Sequence, residues 1–242
     1  MFGMAAIAVL MGIGFVSCSK DGENSEDFSN QKKLTKVIEF YDDDEPDIFT
    51  LYYDSNGHLS SVKCVDENGT LIEEYASYVW GDDFIKRTDD WPSTTTLEDG
   101  LMQTTTIGHG GGTYTYNKSN RVTRIEQPGE LGIRDLIWDN DKLIRVIDEN
   151  VHTTDITYKE KCKKGFSPIV GLLIDDGNNY WLSLAHPELM GARTTQLPST
   201  VTWGDSEDEK ETYSYEFDID GYVSKIVILY SDSKHTFKLT WE

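Results

Sequence analysis

Residues 213–226 decide the fold of this chain, and they read YSYEFDIDGYVSKI. Aromatic residues alternate with polar ones as far as Phe217, so in a β-strand the aromatics all lie on one face. Asp218 can then bond the main chain two residues on, and Gly221 tolerates the positive φ of a tight turn. The stretch therefore predicts a strand, a turn and a returning strand, which together form a β-hairpin with a bulge.

The same unit recurs along the chain. Further copies are YDSNGHLSSV at 53–62, YNKSNRVTRI at 116–125, a first half VDENGTL at 65–71 and a shortened WDNDKLIRV at 138–146. The returning strand carries one apolar residue two positions after the glycine and another three further on. A regular strand places these two on opposite faces, so we interpret the first as a cover over the turn and the second as core.

Strand-forming residues fill the stretches between these turns. Thr, Tyr, Val and Ile dominate, and strand signals recur at 94–96, 104–107, 201–203 and 237–241. The pattern predicts an all-β fold, an antiparallel meander of about a dozen strands. An open sheet of that size leaves costly edges, so we expect it to coil into a barrel or half-barrel.

One stretch, residues 165–198, interrupts the hairpins and is the most apolar part of the chain after the amino-terminal segment. Tyr180–Ala185 is the best short helix candidate, and Pro187 limits its length. We expect this insertion to pack on the concave face of the sheet, and the alternative is a movable plug over a ligand cavity. The residues expected to pack there are Ile169, Val170, Leu172, Leu173, Trp181, Leu182, Leu184 and Leu189.

The amino-terminal segment predicts export. Residues 1–17 are uncharged and largely apolar, too short for a stable membrane span but suited to a signal peptide. Phe15-Val16-Ser17-Cys18 resembles the lipobox of bacterial lipoproteins, although Phe15 stands where Leu is usual. The resemblance implies cleavage before Cys18 and a diacylglycerol on its sulfur. The alternative is a buried amino-terminal helix that ends in an ordinary cysteine.

A polar segment, residues 18–33, begins with this cysteine and has almost no apolar side chain. It therefore predicts a flexible, lipidated tether before a single β domain at 34–242. Ser19 and Lys20 stand where an Asp would favour the inner membrane, and residues 19–23 resemble the acidic surface-export signal of Bacteroides-type lipoproteins. We therefore expect the outer membrane, with the domain facing outward.

Charge excludes one class of function. The chain has 43 acidic and 22 basic residues, for a formal net charge of −21, and such a polyanion repels nucleic acid and anionic headgroups.

Apart from Cys18, the chain contains two cysteines, Cys64 and Cys162. A disulfide between them and two free thiols are both open, with free thiols favoured.

Motifs for catalysis or metal binding are incomplete. His109-Gly110-Gly111-Gly112 matches a lipase oxyanion loop, but Gly165-Phe166-Ser167-Pro168-Ile169 lacks the second glycine of a nucleophile elbow. We therefore interpret residues 109–112 as a loop between strands. The five histidines show no metal-ligand spacing.

Calcium is the candidate metal, because several acidic residues lie near predicted turns. They are Asp54, Asp66, Asp218, Asp220 and the cluster at residues 41–47. These lack the twelve-residue register of a calcium loop, so turn formation is favoured. Paired carboxylates for glycoside hydrolysis are defined by their separation in space, and the sequence gives no means of choosing a pair.

The hairpins, Ser167-Pro168 and residues 197–201 leading into the 213–218 hairpin resemble an uncharacterised domain family of Bacteroides-group lipoproteins, described as porin-like in fold. The resemblance covers essentially residues 34–242, and it implies a fold and a location but no catalytic, cofactor or metal residues. The hairpins are also similar to the YD repeats of toxin-encapsulating shells.

Three functions follow as hypotheses. Six Trp and thirteen Tyr in an exported β-rich chain favour a non-enzymatic binding or scaffolding module for glycan or peptide. The alternative is a carrier that holds an apolar ligand in a half-barrel. A hydrolase comes third, and its sign would be a cleft with carboxylates or a Ser-His pair.

Overall fold

The structure is a computed structural model, and it describes residues 31–42, 44–107, 110–127, 132–149, 152–174, 179–204 and 210–242. In these residues sixteen antiparallel strands form one closed barrel, in which neighbours in sequence pair and β1 pairs with β16. The strands are β1 Leu34–Tyr41, β2 Asp47–Tyr53, β3 Leu59–Val65, β4 Leu71–Trp80, β5 Phe84–Arg87, β6 Ser93–Glu98, β7 Leu101–Ile107, β8 Gly110–Tyr116, β9 Val122–Gln127, β10 Gly132–Asp139, β11 Lys142–Asp148, β12 Thr153–Lys161, β13 Gln196–Trp203, β14 Lys210–Phe217, β15 Val223–Leu229 and β16 Lys234–Trp241.

This architecture confirms the predicted antiparallel meander and its coiling into a barrel. The strands outnumber the expected dozen, because strands as short as β5 carry too little alternation to be recognised in sequence. Odd-numbered strands all begin at one end of the barrel, which we call the latch end. They all finish at the opposite end, which we call the mouth.

In each of these turns, the side chain of the first turn residue bonds the backbone of the turn. Asp54 Oδ1 accepts the backbone N–H groups of residues 56 and 58 at 2.8 and 2.9 Å. Asp66 and Asn117 accept the N–H groups two and four residues on in the same way, and Asp218 accepts that of Tyr222. The fourth turn position has positive φ in each case, at Gly57, Gly69, Asn120 and Gly221. These Asp and Asn side chains therefore serve as turn formers.

A bulge follows the turn and corrects one expectation. Phe217 pairs with Val223 and Glu216 with Lys225, so one extra residue, Ser224, lies between the two pairs. The bulge turns Val223 and Ile226 to the same face, and each is only 1% exposed. The first apolar residue after the turn is therefore core, like the second, and not merely a cover.

Aromatic side chains brace the latch end. In seven hairpins among the described residues, a Tyr or Trp late in the even strand donates to a main-chain carbonyl early in the odd strand, at 2.6 to 2.8 Å. The donors are Tyr53, Trp80, Tyr116, Trp138, Tyr158, Tyr215 and Trp241. We call these side chains the latches, because each ties together the two strands of its hairpin.

The substitution Trp138→Phe removes one latch and keeps most of the ring. We expect it to lower the free energy of unfolding by about 1–2 kcal/mol, because the carbonyl of Val122 loses a donor at 2.6 Å. Urea denaturation measures this loss. Trp91→Phe is the matched control at a side chain that is 71% exposed, and an equal loss in both variants would contradict the role of the latch.

The insertion fills the barrel. It forms α1 Pro168–Ile174, α2 Tyr180–Ala185 and a 3₁₀ helix Pro187–Met190, which we call the inner helices. Six of the eight residues predicted to pack there are buried, and Leu172 and Leu173 are partly buried against the same core. The predicted helix Tyr180–Ala185 is confirmed, while α1 was not expected. Within the described residues, no helix is long and apolar enough to cross a membrane.

The inner helices run the length of the barrel and back. Near the latch end, Phe166 packs edge-on against Trp241 just before α1 begins. At the mouth, Arg134 donates to the carbonyl of Ile174, where α1 ends, at 2.9 Å. After α2 the chain is again at the latch end, where His186 Nε2 accepts the N–H of Leu59 at 3.1 Å.

The outward face of the barrel carries both polar and apolar side chains. Ion pairs join side chains on neighbouring strands, Arg145 to Asp155 at 2.6 Å and Lys225 to Glu216 at 2.7 Å. Threonines line other strands, and Thr96 and Thr104 bond each other at 2.7 Å. Between these polar groups, apolar side chains such as Val79 and Ile137 are exposed.

The chain enters the barrel at the latch end. Lys33 exchanges two main-chain hydrogen bonds with Glu242, at 2.7 and 2.9 Å, just before β1 begins. Lys32 Nζ forms an ion pair with Asp220 at 2.9 Å, on a latch-end turn. Both the first and the last residues of the barrel therefore lie at this end.

Candidate ligand cavity at the mouth

A cavity of about 380 Å³ lies between the barrel wall and α1, and we call it the mouth cavity. Aromatic side chains form much of its wall, namely Tyr41, Tyr180, Trp203, Tyr213, Tyr230 and Phe237. Ile169, Leu172 and Leu173 of α1 form its apolar side. Such a combination of apolar surface with a few polar groups is typical of small-ligand sites.

Strand register brings these side chains together. Tyr213 pairs with Ile228 on β15, Ile228 pairs with His235 on β16, and His235 pairs with Tyr41 on β1. Because directly paired residues point to the same face, these four side chains form one row inside the barrel. The row crosses the seam where the first and last strands meet.

Glu39 lies behind this row and is 6% exposed. Tyr180 donates to Glu39 Oε1 at 2.8 Å, and Tyr41 donates to Oε2 at 3.3 Å. Burial, followed by the negative charge of Glu39, raises the pKa of Tyr41 to about 12 and that of Tyr180 well above its ordinary value. Both phenols therefore keep their protons at neutral pH and remain donors.

Glu211 lies in the lining itself. Trp203 Nε1 donates to Oε1 at 2.7 Å, and Tyr213 donates to Oε2. Burial, together with the charge of Glu211, raises the pKa of the Tyr213 phenol. Each carboxylate oxygen has a second lone pair, so Glu211 is fixed in position and can still accept a hydrogen bond from a ligand.

Two further polar atoms in the lining are buried without a hydrogen-bond partner among the described residues. They are His235 Nε2 and Thr154 Oγ1, on residues 8% and 2% exposed. Glu39 Oε2 lies 3.7 Å from His235 Nε2, beyond hydrogen-bond distance. Buried polar atoms usually have a hydrogen-bond partner, so both atoms can bond a water molecule or a ligand that enters the cavity.

Arg134 and Asp148 complete the lining and pair at 2.9 Å. Arg134 also holds the carboxyl end of α1 through the carbonyl of Ile174. This pair therefore fixes the inner helices against the wall as well as adding polar groups to the cavity.

Among the described residues singled out in the sequence for chemistry, only Tyr41 of the cluster at residues 41–47 lines the mouth cavity. Cys18, the predicted signal peptide 1–17 and His109 lie outside the described residues, and residues 110–112, interpreted as a loop, instead begin strand β8 and pair with β7. Ser167 is fully buried, away from the mouth-cavity lining, and its backbone N–H donates to Thr194 at 2.7 Å. Asp220 is paired with Lys32, and no group of three or more His, Cys, Asp or Glu residues suited to a metal occurs in the described part of the chain.

Both cysteines of the barrel are free thiols. Cys64 is half-buried and Cys162 is buried. Burial raises the pKa of the Cys162 thiol to about 12, so it stays protonated and acts as a small apolar side chain. The structure therefore shows the unpaired alternative.

Sequence reasoning missed Glu39, Glu211 and His235. A signal for the two glutamates exists, because each stands two residues before a tyrosine, Tyr41 and Tyr213, on the same face of its strand. An inward-facing carboxylate beside an aromatic residue is unusual in a core strand. His235 carries no comparable signal.

Comparisons with known proteins identify the fold. No protein-family model matches the chain, and no curated protein matches it. The chain is similar to the crystal structure of a porin-like protein from Bacteroides uniformis, with a TM-score of 0.63 and 18% identity over 86% of this chain and 96% of that one. It is also similar to a porin-like protein from Bacteroides vulgatus, with a TM-score of 0.64 and 15% identity over 87% of this chain and 99% of that one. At this identity the likeness shows a shared barrel fold.

Proposed function

We propose that this chain is a lipid-anchored binding protein of the outer membrane that holds a neutral glycan in the mouth cavity. The observation that carries the proposal is the fixed carboxylate of Glu211 among aromatic rings, beside His235 Nε2 and Thr154 Oγ1, which have no hydrogen bond among the described residues. Aromatic faces stack on the apolar faces of sugar rings, and fixed acceptors bond their hydroxyl groups. The barrel acts as a rigid frame for these groups.

The carboxylates of the mouth cavity favour neutral glycans over anionic ones. Glu211, Glu39 and Asp148 lie in or directly behind the lining, where Arg134 is the only Lys or Arg side chain among the described lining residues. An excess of carboxylates repels anionic ligands, because little water screens charges inside a cavity. The ligand is therefore a neutral sugar rather than a sialylated or uronate-containing one.

The other candidate ligands fit less well. A peptide that adds a strand needs a free sheet edge, and the barrel is closed. An apolar ligand needs an empty apolar lumen, but the inner helices fill it and the remaining cavity contains charged groups.

The charged pairs of the outward face support an anchor outside the bilayer. Barrels that span membranes carry a continuous apolar band on the outside, whereas ion pairs and threonines interrupt the exposed apolar side chains of this wall. A lipid on Cys18 supplies membrane attachment without insertion of the barrel. Since residues 32 and 33 contact the latch end, the mouth lies at the opposite end of the barrel from the start of β1.

The test begins with a glycan array that contains neutral and sialylated glycans, followed by calorimetric titration of the strongest neutral ligand. We expect Glu211→Gln to weaken binding about tenfold or more, because a charged acceptor in the cavity becomes a neutral amide. The matched control is Glu216→Gln on the outward face of the same strand, which should leave affinity unchanged. In intact cells, Cys18→Ala should abolish surface capture of the same glycan while the purified variant still binds.

Four results contradict the proposal. Absence of binding across the array, or equal effects of the two glutamine variants, removes the glycan site. Lipid that co-purifies from the native host, detected by native mass spectrometry, would support the carrier. New reducing ends released from bound glycan would show a hydrolase.

A further inference from the structure

A second concavity lies at the mouth, and we call it the side groove. Its volume is about 320 Å³, and it is formed by β4 and the β5–β6 connection. Its principal lining residues are Glu73, Glu74, Tyr75, Ser77, Asp90 and Trp91. The groove shares no lining residue with the mouth cavity.

The side groove exposes aromatic surface to water. Trp91 is 71% exposed and Tyr75 is 45% exposed. All six tryptophans of the chain are described, and each of the other five is buried or half-buried. An indole held in solvent beside polar groups marks a contact surface, since apolar area left in water is unfavourable.

The loop that carries Trp91 is held in place. Asp89 Oδ1 accepts the N–H of Trp91 at 2.9 Å, and Oδ2 accepts the N–H of Ser77 at 3.1 Å. Arg87 Nε donates to the same carboxylate at 2.7 Å. The exposed indole therefore stands on a preorganised loop, which reduces the entropy lost when a ligand binds.

Ring contacts connect the side groove to the mouth cavity. Tyr75 of the groove meets Trp181 edge-on, with ring centroids 6.0 Å apart. Trp181 meets Tyr180 at 4.9 Å, and Tyr180 lines the mouth cavity. Tyr180 and Trp181, at the amino-terminal end of α2, thus lie between the two concavities, with Trp181 buried beneath the surface.

We propose that the ligand is an oligosaccharide, with one end in the mouth cavity and the rest of its chain crossing α2 to stack on Trp91. This inference rests on the proposed function and names its ligand as a chain rather than a single sugar. The side groove suits the same chemistry, because its carboxylates accept hydroxyl donors and repel anionic chains. A lysine- or arginine-rich peptide is the competing occupant of an acidic groove.

Chain-length dependence tests the inference. The probes are neutral gluco- and manno-oligosaccharides of increasing length, from the monosaccharide upward, titrated by calorimetry. For the series that binds, we expect affinity to rise with length until both concavities are filled. Trp91→Ala should then weaken the long members about tenfold and the shortest less than about twofold, because only the long members reach the indole.

The control is Tyr52→Ala, at an aromatic residue on the outward wall that is 45% exposed. This variant should change neither the affinity for the long oligosaccharides nor that for the shortest one. Circular dichroism verifies that both variants fold. If short members bind with dependence on Glu211 but length and Trp91 have no effect, the oligosaccharide inference fails and the proposed function stands. If no oligosaccharide of either series binds while an arginine-rich peptide binds through Trp91, the oligosaccharide inference and the proposed function both fail.

Discussion

Gly191→Ala is expected to lower the free energy of unfolding by about 3 kcal/mol or more. Gly191 follows the 3₁₀ helix with φ +59°, and a Cβ there would overlap the main-chain carbonyl of Asn120. That carbonyl belongs to the β8–β9 turn, which cannot rotate away as a side chain could. Guanidinium denaturation measures the loss.

Gly69→Ala is the matched control for this effect. Gly69 also has positive φ, +81°, but no heavy atom lies within 4 Å of the Cβ position. It therefore carries only the conformational cost of alanine in the left-handed region, about 1 kcal/mol. Equal losses in the two variants would contradict the close approach between the inner helices and the wall.

Leu184→Ala should cost about 3–4 kcal/mol, the range for truncating a fully buried leucine. Leu184 is 1% exposed on α2 and belongs to the core of the barrel. Leu71→Ala makes the same chemical change at a side chain that is 53% exposed, and it should cost less than about 0.5 kcal/mol.

This pair of variants also decides what the insertion does. A core that includes the inner helices loses stability when Leu184 is truncated. A movable plug can leave the barrel without unfolding it, so the global unfolding free energy would hardly change. A loss below about 1 kcal/mol for Leu184→Ala would therefore favour the movable plug.

Local features of the fold could be predicted because local residues determine them. Asp218 and Gly221 shape their turn through bonds and backbone angles within five residues, and the same applies at Asp54. The short helix at Tyr180–Ala185 is bounded by Pro187, which is again a local effect. Apolar composition alone indicated that residues 165–198 fill the concave side.

Features that depend on distant partners could not be predicted. Closure requires β1 to pair with β16, and no property of either strand specifies the other. A bulge was predicted, but its position at Ser224, which turns Val223 into the core, was not. α1 was missed because its sequence contains Pro168, β-branched residues and Gly171, which disfavour helix in isolation.

The residues of the candidate site could not be identified from the sequence, because their proximity and exposure depend on the folded barrel. Glu39 on β1 meets His235 on β16 only across the closed seam, while Glu211 on β14 lies two strands from His235. Exposed Trp91 looked like any other aromatic in the sequence, since exposure is a property of the folded chain. The number of aromatics suggested a binding role, but their positions required the structure.

The pairing of β1 with β16 has a consequence for biogenesis. The amino-terminal strand is synthesised first, so β1 must wait for β16 with one hydrogen-bonding edge unpaired. Closing a loop that spans the whole barrel is slow, and open edges in that interval invite aggregation. Folding of this barrel should therefore depend on chaperones until the last strand arrives, and truncation of β16 should leave an aggregation-prone chain.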